Sequence, residues 1–505
     1  MALFAAKPDH PMADIKAART LVAELPAGDS AKAIEEITYW LDSINRTEEF
    51  KADHRYALID LLDQAAKNHQ RKLNQDYLTT ERKQRFLEAR LWKAMSEFWK
   101  ELGDGYIRCI EQYQAGSTAI KKELPAIVAR ALRALTLQLK WQLLRYGPIE
   151  DRIWADLGRL YQFAETRYFA DDTIAVYPGA HGTSSVQQEF LKGAMLGVSA
   201  TDGLPPARQE VAERLVAHFG GLFLMQDKPG DGCHYFFDLA MREPPARVRK
   251  GATQTPTVRF FGAGRALPAL RQLMQDIKQK DGVPSDVYLG GSFEKGLVLS
   301  VLEHLAMYWS DQAPARHSER RKIATRLTVL HGFQDMLAGL SDDDATSLDF
   351  DGTKDGESWI VENASDGGYG AIVPKTKGDW VRVGSLVGLK TETAKFWGVG
   401  VIRRLTRDKF QQRCVGIQLL SKSVKVVQLA PADRGGMDDG DQALLLSVAP
   451  DKNGEVDLLL HVGSFSKGQS LAMSGGGKSY LLMPSKLVEG GEDFDWARFK
   501  LFEKE

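Results

Sequence analysis

Apolar side chains change their spacing once along this chain, and that change limits what it can fold into. Before about residue 200 they recur every three or four positions, and after about residue 320 they alternate. The first period is that of an amphipathic helix, and the second that of a strand with one buried face. A helical first half and an antiparallel β second half are therefore expected. At 505 residues the chain is also too long for one core, so about three domains are expected.

The helical part opens with the start signal Asp29-Ser30, followed by Ile34, Ile37, Trp40, Leu41 and Ile44 at helical steps. Tyr56, Ile59 and Leu62 mark a second helix, with Asp63 expected to face away. Leu91, Met95, Phe98, Leu102, Tyr106, Ile110 and Tyr113 form the longest stripe, which Trp92 and Trp99 broaden. Ile127, Leu132, Leu135, Leu139 and Trp141 mark another helix, closed by Gly147-Pro148, and Ile153, Leu157, Leu160 and Phe163 the next. Aromatic stripes at this spacing read as core. The pattern lapses between Ala170 and Gly182, so an all-α domain is expected over residues 1–171.

Helices resume at 184–197 and 206–219, then strands at 222–225, 235–239 and 257–261, then helices at 266–279 and 293–309. This reads as an α+β middle domain over 172–310. Its last helix is expected to bury Leu297, Val301, Leu305 and Tyr308.

A polar, Pro-containing linker, Ser310 to Ser318, leads to a basic cluster, Arg320-Arg321-Lys322, with Arg326 close behind. An apolar run, Leu327 to Phe333, precedes an acidic stretch around residues 341–357, read as a solvated insertion between the first and second strands. Trp359 to Val373 then holds a tight turn, Asn363-x-Ser365-x-x-Gly368, and strands follow at Phe396 to Arg404 and Cys414 to Leu419. Arginine forks match phosphates and the O6/N7 edge of guanine, with paired hydrogen bonds that lysine lacks. Asn and Ser add short polar groups, and Gly lets a ligand approach the backbone. Strand-like runs at 443–448, 456–461, 480–483 and 494–502 read as an extension of the barrel or as a second small β-domain.

The basic entry, the Asn-x-Ser-x-x-Gly turn and the closing Gly416-Ile-Gln-Leu419 strand together resemble a PilZ domain, over about residues 316–430. The resemblance implies a PilZ-like antiparallel β-barrel (311–435) with extra C-terminal strands (436–505), in a multidomain α+β protein of bacterial origin. Many members of that family bind the second messenger cyclic di-GMP. The expected ligand-binding residues are Arg320, Arg321, Lys322, Arg326, Asn363, Ser365 and Gly368. Arg326 takes the position just before the first strand, and the family's three-residue spacing then leads back to Lys322. Arg316 and Arg320 have the spacing but lie further from the expected strand. The helical region would pass the signal to a protein partner of the motility, pilus or biofilm machinery. The alternative is an interaction scaffold whose barrel does not bind nucleotide.

Other functions find less support. A formal net charge of −1 argues against bulk nucleic-acid binding. Three scattered cysteines, Cys109, Cys233 and Cys414, make no disulfide framework and point to a reducing compartment. With no signal-peptide pattern and no apolar run of membrane length, a cytoplasmic location is expected. Gly475-Gly-Gly-Lys-Ser479 has Ala472 where a phosphate-binding loop needs its first Gly, so it reads as a hairpin turn. Gly262-Ala-Gly-Arg265 has Leu267 at the third glycine position of a dinucleotide fingerprint. Cys233-His234 has no further metal ligand nearby, and His304 reads as a satisfied core histidine. No nucleophile has a base beside it, so neither an enzyme nor a cofactor is expected.

Overall fold

The computed structural model describes residues 8–80, 84–177, 182–249, 254–312, 321–341, 356–374, 380–432, 440–447, 449–475 and 478–504. The chain divides into two compact units, Met1–Thr201 with Pro206–Pro314, and Asp202–Pro205 with Ala315–Glu505.

The first unit opens with α1 (Ile15–Ala23), α2 (Ser30–Arg46), α3 (Ala52–Thr79), α4 (Arg85–Gln114), α5 (Leu124–Leu143), α6 (Asp151–Thr166), α7 (Val186–Val198) and α8 (Pro206–Phe219). Asp29 caps α2 as its sequence indicates, accepting from the Lys32 amide at 3.0 Å. α5 is the spine. Besides its apolar residues it buries Arg130, Thr136, Gln138, Lys140 and Gln142. Each buried cation meets an acid from a neighbouring helix, as desolvated charges must. Arg130 reaches Asp60 of α3, Arg133 forks onto Glu189 of α7 at 3.0 and 3.2 Å, and Lys140 lies between Glu210 and Glu213 of α8 at 2.5 and 3.1 Å.

Asp63 does not face away. It is buried, and its carboxylate accepts from Tyr106 at 2.6 Å and Tyr177 at 3.0 Å. Helical spacing marks which residues share a face, but not that a carboxylate on the buried face has hydroxyl donors from distant sequence.

After α8 come β1 (Leu224–Gln226), β2 (Tyr235–Asp238), β3 (Ala246–Arg247), β4 (Val258–Gly262), α9 (Ala266–Lys280) and α10 (Lys295–Trp309). The four strands make one antiparallel sheet in the order β1-β4-β2-β3. Phe237 of β2 packs edge-on against Phe190 of α7, and Arg259 of β4 pairs with Glu165 of α6. Residues 172–201 and 206–310 share a compact unit with the preceding helices. α10 is rotated by about one position from its expected face, burying Val298, Val301, Leu302, Leu305 and Trp309. His304 bonds the Ser199 carbonyl at 2.8 Å. The strand before Gly262 is antiparallel to its neighbours, which is not dinucleotide-fold geometry.

The second unit contains two closed barrels. The first uses β5 (Arg321–His331), β6 (Glu357–Ser365), β7 (Gly368–Val373), β8 (Leu386–Thr391), β9 (Gly398–Arg407) and β10 (Arg413–Ser421). A ten-residue helix, α11 (Gly332–Ser341), follows β5 where only strand and loop were expected. Most of the acidic stretch after it lies outside the described residues. Trp359 and Trp380 stack at 5.5 Å, and both indole N–H groups donate to Glu357, at 3.1 and 3.2 Å.

The second barrel uses β11 (Lys425–Pro431), β12 (Asp441–Leu445), β13 (Glu455–His461), β14 (Leu471–Gly475), β15 (Lys478–Gly490) and β16 (Phe494–Lys504). Residues 425–431 therefore belong here, pairing with β12 and β14, and not to the first barrel as their sequence position suggested. Gly475 pairs with Lys478, so the two ends of the Gly-Gly-Gly-Lys-Ser run lie on adjacent antiparallel strands.

Around the ring the first barrel reads β5-β6-β7-β10-β9-β8 and the second β11-β12-β13-β16-β15-β14. Both therefore have the same antiparallel strand order. Phe333, Met336 and Leu337 of α11 join one apolar core with Leu386, Val399 and Val401 of the first barrel and Leu444, Leu459 and Phe494 of the second.

Candidate functional site

The turn Asn363-x-Ser365-x-x-Gly368 is the hairpin between β6 and β7, with Ser365 paired to Gly368 and Asn363 to Gly370. Val361, Ala371, Val415 and Ile417 point into the barrel and are buried. Strand alternation therefore turns Gly370, Gly416 and Gln418 outward, and the bulge between Val361 and Asn363 brings Asn363 and Ser365 to the same face as their partners Gly370 and Gly368. Gly370 pairs with Gly416, and Gly368 with Gln418. The outer face thus has a floor of three glycines across two strands, edged by Asn363 and Ser365 on one side and Gln418 on the other.

One of these glycines is required by packing, and a second is covered by a side chain. A Cβ at Gly368, whose φ is +153°, would overlap the Ile417 carbonyl. One at Gly370 would meet the Asn363 amide at 2.6–2.9 Å, because that side chain lies across it. The Asn363 Oδ1 is buried with no hydrogen-bond partner among the described residues. A buried acceptor without a partner is costly unless a bound group satisfies it.

The basic residues enter along β5. Arg321 pairs with Ala364 and Lys322 with Asn363, and a bulge follows before Thr325. All three of Arg321, Lys322 and Arg326 are exposed. The strand starts at Arg321, so Arg326 is mid-strand and not at its entrance. Arg326 pairs with Ile360, roughly 10 Å along β6 from Asn363, and donates to Ser358 at 3.3 Å. Tertiary pairing extended the strand back past the apolar run through which its start was located. The structure therefore brings Arg321 and Lys322, but not Arg326, to the Asn363 turn. Arg320 lies outside the described residues.

Gly370, Gly416 and Gln418 were not singled out as site residues. The alternating glycines of Gly368-Tyr-Gly370 and Gly416-Ile-Gln418 were their sequence signal. Among the described residues no cluster of His, Cys, Asp and Glu is arranged to hold a metal, and no helix is long and apolar enough to cross a membrane.

On the helical unit, an open cleft of about 560 Å³ lies between α2, α4 and α6. Its walls carry both signs of charge, Asp42, Glu101 and Asp156 beside Arg46, Lys100 and Arg159. Such a surface suits a polar protein contact better than a small apolar ligand.

Residues 352–425 match the family model for the middle PilZ domain of the cyclic-di-GMP receptor FimW, and residues 16–229 match that for its N-terminal domain. β5 and its basic residues precede the matched barrel segment. No curated protein and no solved structure matches the chain.

Proposed function

We propose, from a first barrel that is a PilZ domain, that this chain is a bacterial cytoplasmic regulator that binds cyclic di-GMP on the outer face of that barrel. The observation that carries this reading is the Asn363-x-Ser365-x-x-Gly368 hairpin, with Arg321 and Lys322 registered directly across from it. Gly370 lets the Asn363 amide lie against the backbone of this face, where it can meet a bound group. Asn363 and Ser365 bond from one edge, and Arg321 and Lys322 supply positive charge from β5. Arg320 immediately precedes that strand in sequence, with Arg316 at the family's spacing before it. These two extend the basic entry, and Arg326, paired with Ile360, lies outside it.

Ligand would favour one arrangement of the basic entry over others, and a signal passes only through such a difference. The helical region is the output, docking a protein partner of the motility, pilus or biofilm machinery. The mixed-charge cleft between α2, α4 and α6 supports that role. One observation favours the scaffold alternative: the residue facing Asn363 is Lys322, a point charge rather than a fork.

Calorimetric titration of the full chain with cyclic di-GMP tests the choice. The sensor reading expects wild-type binding, and tighter binding by Lys322→Arg. A wild type silent at tens of micromolar nucleotide, with Lys322→Arg binding, makes the scaffold reading the correct one.

A further inference from the structure

Between Ile402 and Arg404, β9 carries one residue more than its partner β10. Arg404 pairs with Gly416 and Ile402 with Ile417, so Arg403 is the bulged residue between them. A bulge re-aims its side chain out of the strand's alternation. Arg403 reaches in two directions. Its Nε donates to the Gln418 Oε1 at 2.7 Å, and its two terminal nitrogens fork onto Glu489 of the second barrel, both at 2.6 Å. A two-bonded guanidinium–carboxylate fork fixes the plane of the arginine.

That geometry decides which way Gln418 faces. Arginine only donates, so it takes the amide oxygen and leaves the NH₂ group turned away from it. Gln418 is exposed and paired with Gly368, which is itself paired with Ser365. Gln418 thus stands at the far edge of the glycine floor, opposite Ser365, with its NH₂ group not engaged by Arg403.

We infer that Gln418 is a further ligand-binding residue of this site, donating to an acceptor oxygen of the nucleotide, with Arg403 and Glu489 as its positioning residues. The inference rests on the reading of this face as a cyclic di-GMP site. It gives the second barrel a part in that site: Glu489 completes the clamp that holds the amide ready. An amide held before the ligand arrives loses little rotamer freedom on binding.

The test is calorimetry of the full chain with cyclic di-GMP, using Ser365→Ala as a reference variant for the site. Gln418→Ala should weaken binding about tenfold. Arg403→Ala and Glu489→Gln should each weaken it severalfold. The double variant Gln418→Ala with Arg403→Ala should bind no more weakly than Gln418→Ala alone, because Arg403 acts through Gln418. An arginine that merely stabilised the barrel would add its own loss on top. Gln418 is an exposed side chain, so Gln418→Ala should melt like wild type even if Arg403→Ala does not, and its affinity decides the matter. Wild-type binding weakened by Ser365→Ala, with Gln418→Ala within twofold of wild type, overturns this inference and leaves the nucleotide reading standing. Absence of wild-type binding overturns the nucleotide reading, and this inference with it.

Discussion

At the scale of single residues, the proposed site depends on positions where side chains are absent as much as on those where they are present. Gly368 has no room for a methyl group, since a Cβ there runs into the Ile417 carbonyl. Gly368→Ala should cost about 3 kcal/mol of barrel stability or more, by forcing the hairpin off β10. Thermal melting with β-sheet circular dichroism as the probe checks it, and an unchanged transition would contradict the pairing of Gly368 with Gln418. Lys322→Arg should tighten nucleotide binding by several-fold, as a fork replaces a point charge opposite Asn363. The residue types of this site were legible, since Asn363, Ser365 and Gly368 fall in one short motif. Which basic residue faces them was not. It depends on where β5 begins and on the bulge between Lys322 and Thr325, and neither leaves a pattern in the order of residues. The buried position of Asp63 was hidden for a similar reason, as one of its donors, Tyr177, comes from more than a hundred positions away.

At the scale of elements, α5 is held by ion pairs in which one partner or both are buried. Burial alone would raise the Glu189 carboxyl, but Arg133 and Lys192 overcome that and hold it at about 2, against an ordinary value of 4.5. Glu210 is lowered to about 2 in the same way, burial being outweighed by Lys140 and Arg214. Such groups release their protons more readily folded than unfolded. Their contribution is therefore complete above pH 4.5 and is lost as the pH falls from there towards 2. For Glu189 the shift corresponds to about 3 kcal/mol. Glu189→Gln should destabilise the helical unit by about 3 kcal/mol at neutral pH, because it leaves Arg133 desolvated and uncompensated. It should also flatten the dependence of melting temperature on pH between 4.5 and 2. An equally steep acid limb in the variant would count against the assignment. Helix positions were mostly legible, because a buried face repeats every turn. α11 was not, since the apolar run of β5 carries on into Phe333, the second residue of the helix. Its role is visible only in the assembled core, where it packs against both barrels. Met336→Ala should open a cavity there and cost about 2–5 kcal/mol. Hydrogen exchange should then quicken in strands of both barrels; a change confined to one would show that the core is not shared.

At the scale of the molecule, the switch in apolar period correctly divided helices from barrels. Periodicity could not count the barrels, however, because a strand pairs with whichever neighbour the closure of the ring selects. Lys425–Pro431 reads as one more strand in a series, yet it opens a second ring of the same strand order. The lapse at residues 170–182 is bridged by contacts, since Trp154 before it meets Phe237 after it and Glu165 pairs with Arg259. The result is a chain whose proposed nucleotide face lies on one barrel, with Arg403 at its far edge bonded to Glu489 of the other. The most direct measurement is calorimetric titration of the full-length wild type with cyclic di-GMP, run beside Ser365→Ala. Saturable binding by the wild type, weakened roughly tenfold by the loss of one hydroxyl in the hairpin, is the result this account predicts. Saturable binding that Ser365→Ala leaves unchanged, or no heat from the wild type at all, would contradict it.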